Sequence, residues 1–154
     1  MVLVWHRADL RLHDLPALLE ALGRGPAVGL VVLDPLLLKT HPRRRAWFFA
    51  NLRALRAAYA QRGGLLLVRE GPPWEVVPAL AQAVGAEAVH ASLAYTPYGR
   101  MRDGRVGQAV PLRLFPGQYA LSPEAVPFRA SYSAFRRALS PLSPPLEAPP
   151  RVPP

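Results

Sequence analysis

An apolar run from Val2 to Trp5 leads into Arg7 and Asp9, a planar cationic fork and a carboxylate two residues apart at the end of a candidate strand. A guanidinium in such a place can hold phosphate or carbonyl oxygens through paired bonds, and a carboxylate accepts from hydroxyls or ring nitrogens, so the two could orient a polar ligand. They could equally pair with each other or with Arg11 and cap the edge of a sheet. A second basic cluster, His41-Pro42-Arg43-Arg44-Arg45, opens a helical segment, whose free N–H groups and dipole favour an anion. Adjacent helical residues point different ways, so one or two of these arginines can face one ligand, and the cluster also reads as a solvated basic face. Phe48 and Leu52 in the same segment either wall a flat ring or belong to the core.

Other chemistries lack their parts. Cysteine is absent, which removes disulfides, thiolate metal sites and a thiol nucleophile. His6, His13, His41 and His90 fall one per segment, without metal-ligand spacing. The serines lie mostly in a proline-rich end and none occupies a nucleophile elbow. Gly23 and Gly25 follow a helical segment instead of a strand, so there is no phosphate loop. No paired-carboxylate motif stands out among the ten acidic residues. Nineteen basic residues against those ten give a net charge of +9, which attracts polyanions, phosphates or anionic cofactors. Lys39 is the only lysine, a usage that fits a thermophile or an arginine-rich, GC-biased genome.

Positioning these groups falls to alternating elements. Strands are expected at Val2–Trp5, Val28–Leu33, Leu65–Val68, Ala88–Ala91 and Leu112–Phe115, apolar without alternation and so buried on both faces. Asp14 is a plausible N-cap for a first helix on Leu15, Leu18, Leu19 and Leu22, with Gly23 able to end it. The second helix runs from about Arg43 to Gln61 on a stripe of Phe48, Leu52, Leu55 and Tyr59. A third spans about Trp74 to Val84 and should start late, because Pro78 removes a donor unless it sits in the first turn. A fourth, about Tyr98 to Ala109, should be short or frayed at Gly104 and Gly107. The pattern predicts a Rossmann-like three-layer α/β/α domain, residues 1–120, on a five-stranded parallel sheet. Nine of the nineteen prolines fall from Ser122 onward, so 121–154 reads as a proline-rich linker or tail with one short helix at 132–139. The charged residues after Trp5 argue against a signal peptide, and no apolar run approaches the roughly 18 residues of a membrane span, so a cytoplasmic protein without membrane contact is expected.

Ligands of open parallel sheets bind beyond the carboxyl ends of the strands, where strand order reverses. If the first and fourth strands are neighbours, Arg7 and Asp9 face Ser92 to Tyr95 across that crevice.

The residues also carry a family likeness. Trp5-His6-Arg7-Ala8-Asp9-Leu10-Arg11 with Asp14 and Pro16-Ala17-Leu18 closely resembles the opening of DNA photolyases and cryptochromes, with Leu15 in place of the usual Asn. Arg44 to Leu52 and Pro97-Tyr98-Gly99-Arg100-Met101-Arg102-Asp103 with Val106 resemble two further stretches of that family, and Pro127 to Leu139 the segment leading out of its first domain. The resemblance implies an antenna domain without the helical domain that holds catalytic FAD, hence no FAD site and no repair activity of its own. It implies a light-harvesting ligand, FMN or another flavin or deazaflavin before a folate, at Arg7, Asp9, Leu10, Asp34, Lys39, Arg44, Phe48 and Tyr95. Partners implied by the resemblance are that flavin-like molecule and a separately encoded helical photolyase-type protein; the charge adds weakly and non-specifically bound nucleic acid, and an apolar surface left exposed without the helical domain would pair with a second copy in a homodimer. The other readings are a basic nucleic-acid-associated or partner-docking module and an AMP- or ATP-binding α/β domain.

Overall fold

The structure, a computed structural model, describes residues 1–117, 119, 123 and 131–142. Five parallel strands, β1 (Val2–His6), β2 (Ala27–Leu33), β3 (Leu66–Glu70), β4 (Ala88–Ser92) and β5 (Leu112–Phe115), form one sheet in the order β3-β2-β1-β4-β5. β1 therefore pairs with β2 on one side and β4 on the other, and order reverses between β1 and β4. Helices α1 (Pro16–Arg24), α2 (Pro35–Leu38), α3 (Pro42–Ala60), α4 (Pro73–Ala83) and α5 (Pro97–Ala109) connect the strands, and α6 spans Tyr132–Leu139.

Alternate residues of β1 feed two cores. Val2 and Val4 pack with Leu15, Leu18, Leu52, Leu55 and Tyr59 under α1 and α3. Leu3 and Trp5 pack with Val77, Ala81 and Val106 under α4 and α5. This is the three-layer α/β/α arrangement that the alternation of elements requires. The central strands β1 and β4 are buried throughout, whereas the edge strands β3 and β5 each carry two exposed residues, Arg69 and Glu70 in the first and Arg113 and Leu114 in the second. The expectation of uniform burial for all five strands fails at the edges, because an edge strand has a neighbour on one side only.

Several local expectations give way to turn chemistry. Asp14 does not cap α1: it sits at φ 52, Leu15 holds the cap position, and Pro16 starts the helix with a preset φ. The chain leaves α1 at Gly25, φ 133, and not at Gly23. Pro78 lies inside α4, which begins at Pro73, so the helix tolerates the missing bond beyond its first turn. α5 runs through Gly104 and Gly107 for 13 residues, held at its start by Thr96 Oγ1 accepting from Gly99 N. The four-residue α2 has no apolar period to announce it, and Asp34 alone starts it, accepting from Leu36 N at 2.9 Å. Most of the stretch from 121 onward, expected to be a tail, lies outside the described residues.

Gly29 shows a requirement for the missing side chain. A Cβ there would stand 2.6 Å from Tyr59 Cζ and 2.7 Å from Leu66 Cδ1, whereas one on Gly104 would meet nothing within 4 Å. Gly29→Ala should therefore cost about 1 to 3 kcal/mol through overpacking. Gly104→Ala should add up to about 1 kcal/mol by favouring the helix. Urea unfolding followed by circular dichroism checks both; equal midpoints for the two variants would contradict this packing.

Candidate functional site

The turn after β1 is built by Asp9. Its Oδ1 accepts from Arg7 N at 2.7 Å, its Oδ2 accepts from the Ser92 hydroxyl at the end of β4, and its carbonyl accepts from Arg11 N at 2.7 Å. Arg11 then donates to the carbonyls of His13, Asp14 and Gly117 at 3.0, 2.7 and 2.8 Å. These bonds tie the loop after β1 to the ends of β4 and β5.

Arg7 points to the α5 side of the sheet. Its Nη1 donates to Asp103 Oδ1, and Arg102 donates to the same oxygen through Nε at 3.0 Å and Nη2 at 2.9 Å. Both guanidinium carbons lie over the Trp5 ring, at 4.8 and 4.9 Å from its centroid. Two cations thus share one carboxylate, leaving one positive charge in excess. Arg7 is held below its ordinary basicity by burial and by the neighbouring Arg102, a penalty that Asp103 opposes. Arg7 Nε and Nη2 and Asp103 Oδ2 are buried without a hydrogen-bond partner among the described residues. The ion pair of Arg7 is therefore with Asp103, not with Asp9, the anionic partner open to it in the sequence.

On the opposite face His6 Nδ1–H donates to Asp9 O at 3.3 Å and the Tyr59 hydroxyl donates to His6 Nε2 at 2.7 Å, an assignment that follows because a carbonyl can only accept. Burial lowers the His6 pKa and raises that of Tyr59. Gly29 supplies the space in which the Tyr59 ring reaches His6.

Between these layers, beyond the carboxyl ends of β1, β2 and β4, lies a cleft of about 550 Å³. Of the residues expected at a site, Arg7, Leu10, Asp34, Lys39, Arg44, Phe48 and Tyr95 line it together. Asp9 does not: it lies behind the wall with both carboxylate oxygens engaged by protein donors. Arg44 and Arg45 face the cleft and Arg43 does not, as the divergence of adjacent helical residues requires. His41 caps α3, accepting from Arg43 N at 3.3 Å. Arg100 lies outside, beside a smaller hollow of about 350 Å³ between α5 and β5.

Sequence reasoning missed the rim. Leu36, Leu37 and Trp47, exposed by 55%, 53% and 67%, line the mouth. Trp47 had a signal, since it falls off the Phe48, Leu52, Leu55, Tyr59 stripe, where an aromatic residue has no core to fill. Tyr98 and Arg102 also line the cleft, and Tyr95 stacks edge-on against Tyr119 at 5.2 Å.

An open parallel sheet with a cationic floor and an apolar rim at its switch point defines an α/β domain of the kind that takes small ligands beyond its strand ends. The model for DNA photolyase matches residues 2–151, and the chain belongs to that family. It is similar to a deoxyribodipyrimidine photo-lyase of Thermus thermophilus, 58% identical over 99% of this chain and 37% of that protein. It is 34% identical to the cryptochrome DASH of Gloeobacter violaceus, over 99% of this chain and 35% of the relative. Among solved structures a Synechocystis cryptochrome superposes with a TM-score of 0.85 at 25% identity, over 91% of this chain and 33% of that one. The chain thus spans little more than a third of these relatives, and its fold is that of their N-terminal α/β domains.

His6 and His90, both buried, have pKa values lowered from 6.5 by desolvation. A group whose folded pKa is lowered resists protonation in the fold, so the unfolded chain takes up the proton first as pH falls. Stability should therefore be complete above about pH 6.5 and decline below it. His90→Gln, which keeps a donor for Ala17 O, should flatten the decline. Urea midpoints between pH 7.5 and 5 measure this, and a slope unchanged in the variant would remove His90 from the account.

Proposed function

We propose that the cleft binds a light-harvesting chromophore, FMN or a related flavin or deazaflavin, with a folate ranking below them. The observation that carries this is Arg7, which lines the cleft with its side chain only 6% exposed and whose Nε and Nη2 have no partner among the described residues. A buried donor without a partner costs about 1 to 3 kcal/mol, which an approaching ligand oxygen would recover. Lys39, Arg44 and Arg45 suit a terminal phosphate at the mouth, and Phe48, Leu36, Leu37 and Trp47 supply apolar surface for a flat ring. When bound, such a chromophore absorbs visible light and can pass excitation to a redox-active flavin held elsewhere. The helical photolyase-type partner holding that flavin is, in this reading, either the rest of a longer chain or a separate protein. By itself this stretch would show no light-driven loss of pyrimidine dimers, because dimer repair needs a redox flavin and a pocket for the flipped base.

FMN should quench the tryptophan fluorescence of the protein, Trp47 standing at the mouth. Arg7→Ala should weaken FMN binding roughly ten- to a hundredfold, whereas Arg53→Ala on α3, away from the cleft, should leave it unchanged. Arg44→Ala should weaken FMN more than riboflavin, which lacks the phosphate. Failure of FMN, deazaflavin and folate alike to quench at micromolar concentration would end the chromophore reading. Nucleic acid should bind weakly and with steep salt dependence, as charge alone dictates; binding that survived high salt and chose a sequence would favour a nucleic-acid module instead.

A further inference from the structure

Asp34 follows β2, and Tyr98 lies in the first turn of α5, beyond β4, so the two meet from opposite sides of the end of β1. The Tyr98 hydroxyl donates to Asp34 Oδ2, and Asp34 Oδ1 accepts from Leu36 N at 2.9 Å. Both side chains line the cleft. A phenol has one proton, and here that proton is committed to a carboxylate, so the oxygen offers the cleft lone pairs only. Burial and the Asp34 carboxylate push the Tyr98 pKa up to about 12, which keeps the phenol neutral at physiological pH. The same cleft is lined by Arg7, Lys39, Arg44, Arg45 and Arg102, all donors, which read acceptor atoms of a ligand.

We propose that Tyr98 is a specificity-determining residue that accepts from a ring N–H of the bound chromophore, selecting heterocycles with an imide-type N–H, and that Asp34 is the positioning residue that holds the hydroxyl in the accepting role. This rests on the flavin reading above. A polar group built to meet one ligand N–H rejects the analogue that lacks it, since the acceptor is then buried unpaired. Asp34→Asn should reverse the role. Leu36 N still needs an acceptor, so the amide oxygen stays there, its NH₂ turns to Tyr98, and the hydroxyl donates into the cleft.

The experiment compares FMN with N3-methyl-FMN, which lacks the ring N–H, by fluorescence titration of wild type, Tyr98→Phe and Asp34→Asn. Wild type should prefer FMN about tenfold. Tyr98→Phe should lose that preference, and so should Asp34→Asn. Ultraviolet titration of the phenol, which needs no ligand, should show Tyr98 ionising at lower pH in Asp34→Asn than in wild type. A preference retained in Tyr98→Phe, or none in wild type, overturns the assignment while the flavin reading stands. No binding of FMN by wild type overturns both.

Discussion

Two guanidinium groups over one indole, sharing one carboxylate oxygen, hold the functional end of this domain together. Trp5 ends the apolar part of β1, and Arg7, two residues on, projects to the same face as the ring. Arg102 and Asp103 arrive from α5. The carboxylate is needed because two buried cations repel, and the indole because it offers both of them a π face where water is excluded. The resulting cluster fixes the position of α5 relative to β1, and with it Tyr98, Thr96 and Tyr95 on the cleft wall. A single negative charge for two positive ones leaves the arrangement incomplete on the cleft side. That incompleteness costs stability, and it is the feature that an anionic or acceptor-rich ligand can relieve.

The two longest stretches of family likeness prove to be one constellation in space. Trp5, Arg7, Asp9 and Arg11 come from the first, and Tyr98, Gly99, Arg102, Asp103 and Val106 from the second. Trp5 and Arg7 meet Arg102 and Asp103, while Val106 seals the core beside Trp5. Gly99 is required because a Cβ there would stand 2.6 Å from Ala94 Cβ. Such spacing reads in a linear sequence as separate motifs, since nothing in either run names its partner 96 residues away.

Legibility followed the range of the forces involved. The sheet and its long helices were readable, because burial on two faces imposes apolar runs on β1 and β2, and a period of 3.6 imposes the Leu52, Leu55, Tyr59 stripe on α3. α2 was not readable: four residues held by one cap leave no period. Asp14 was misread because Asp both caps helices and tolerates positive φ, and Pro16 close behind it decided for the second. At the cleft, strand-end logic and family likeness together point to Arg7, Asp34 and Arg44, all of which line it. They also point to Asp9, which does not line it, since a carboxylate that tightens a turn and one that meets a ligand look alike until the donors from Arg7 N and Ser92 are seen.

The net charge of +9 takes on a different meaning once its carriers are placed. Arg7 and Arg102 are buried against Asp103, Arg11 is spent on three carbonyls, and Arg62 donates to Ala58 O at 3.2 Å. Arg105 lies over Trp74 at 4.7 Å. These arginines cement the fold, which is work that a planar fork with five donors does and a lysine does poorly. Arg44, Arg45 and Lys39 are different: exposed, at the mouth of the cleft, beside the N-terminus of α3, their field adds to that of the helix dipole. An extended polyanion gains from charge spread along a surface, whereas a small phosphate ester gains from charge focused at one opening. At the cleft the cations left free of structural work among the described residues are those at its mouth, the placement that the second case needs.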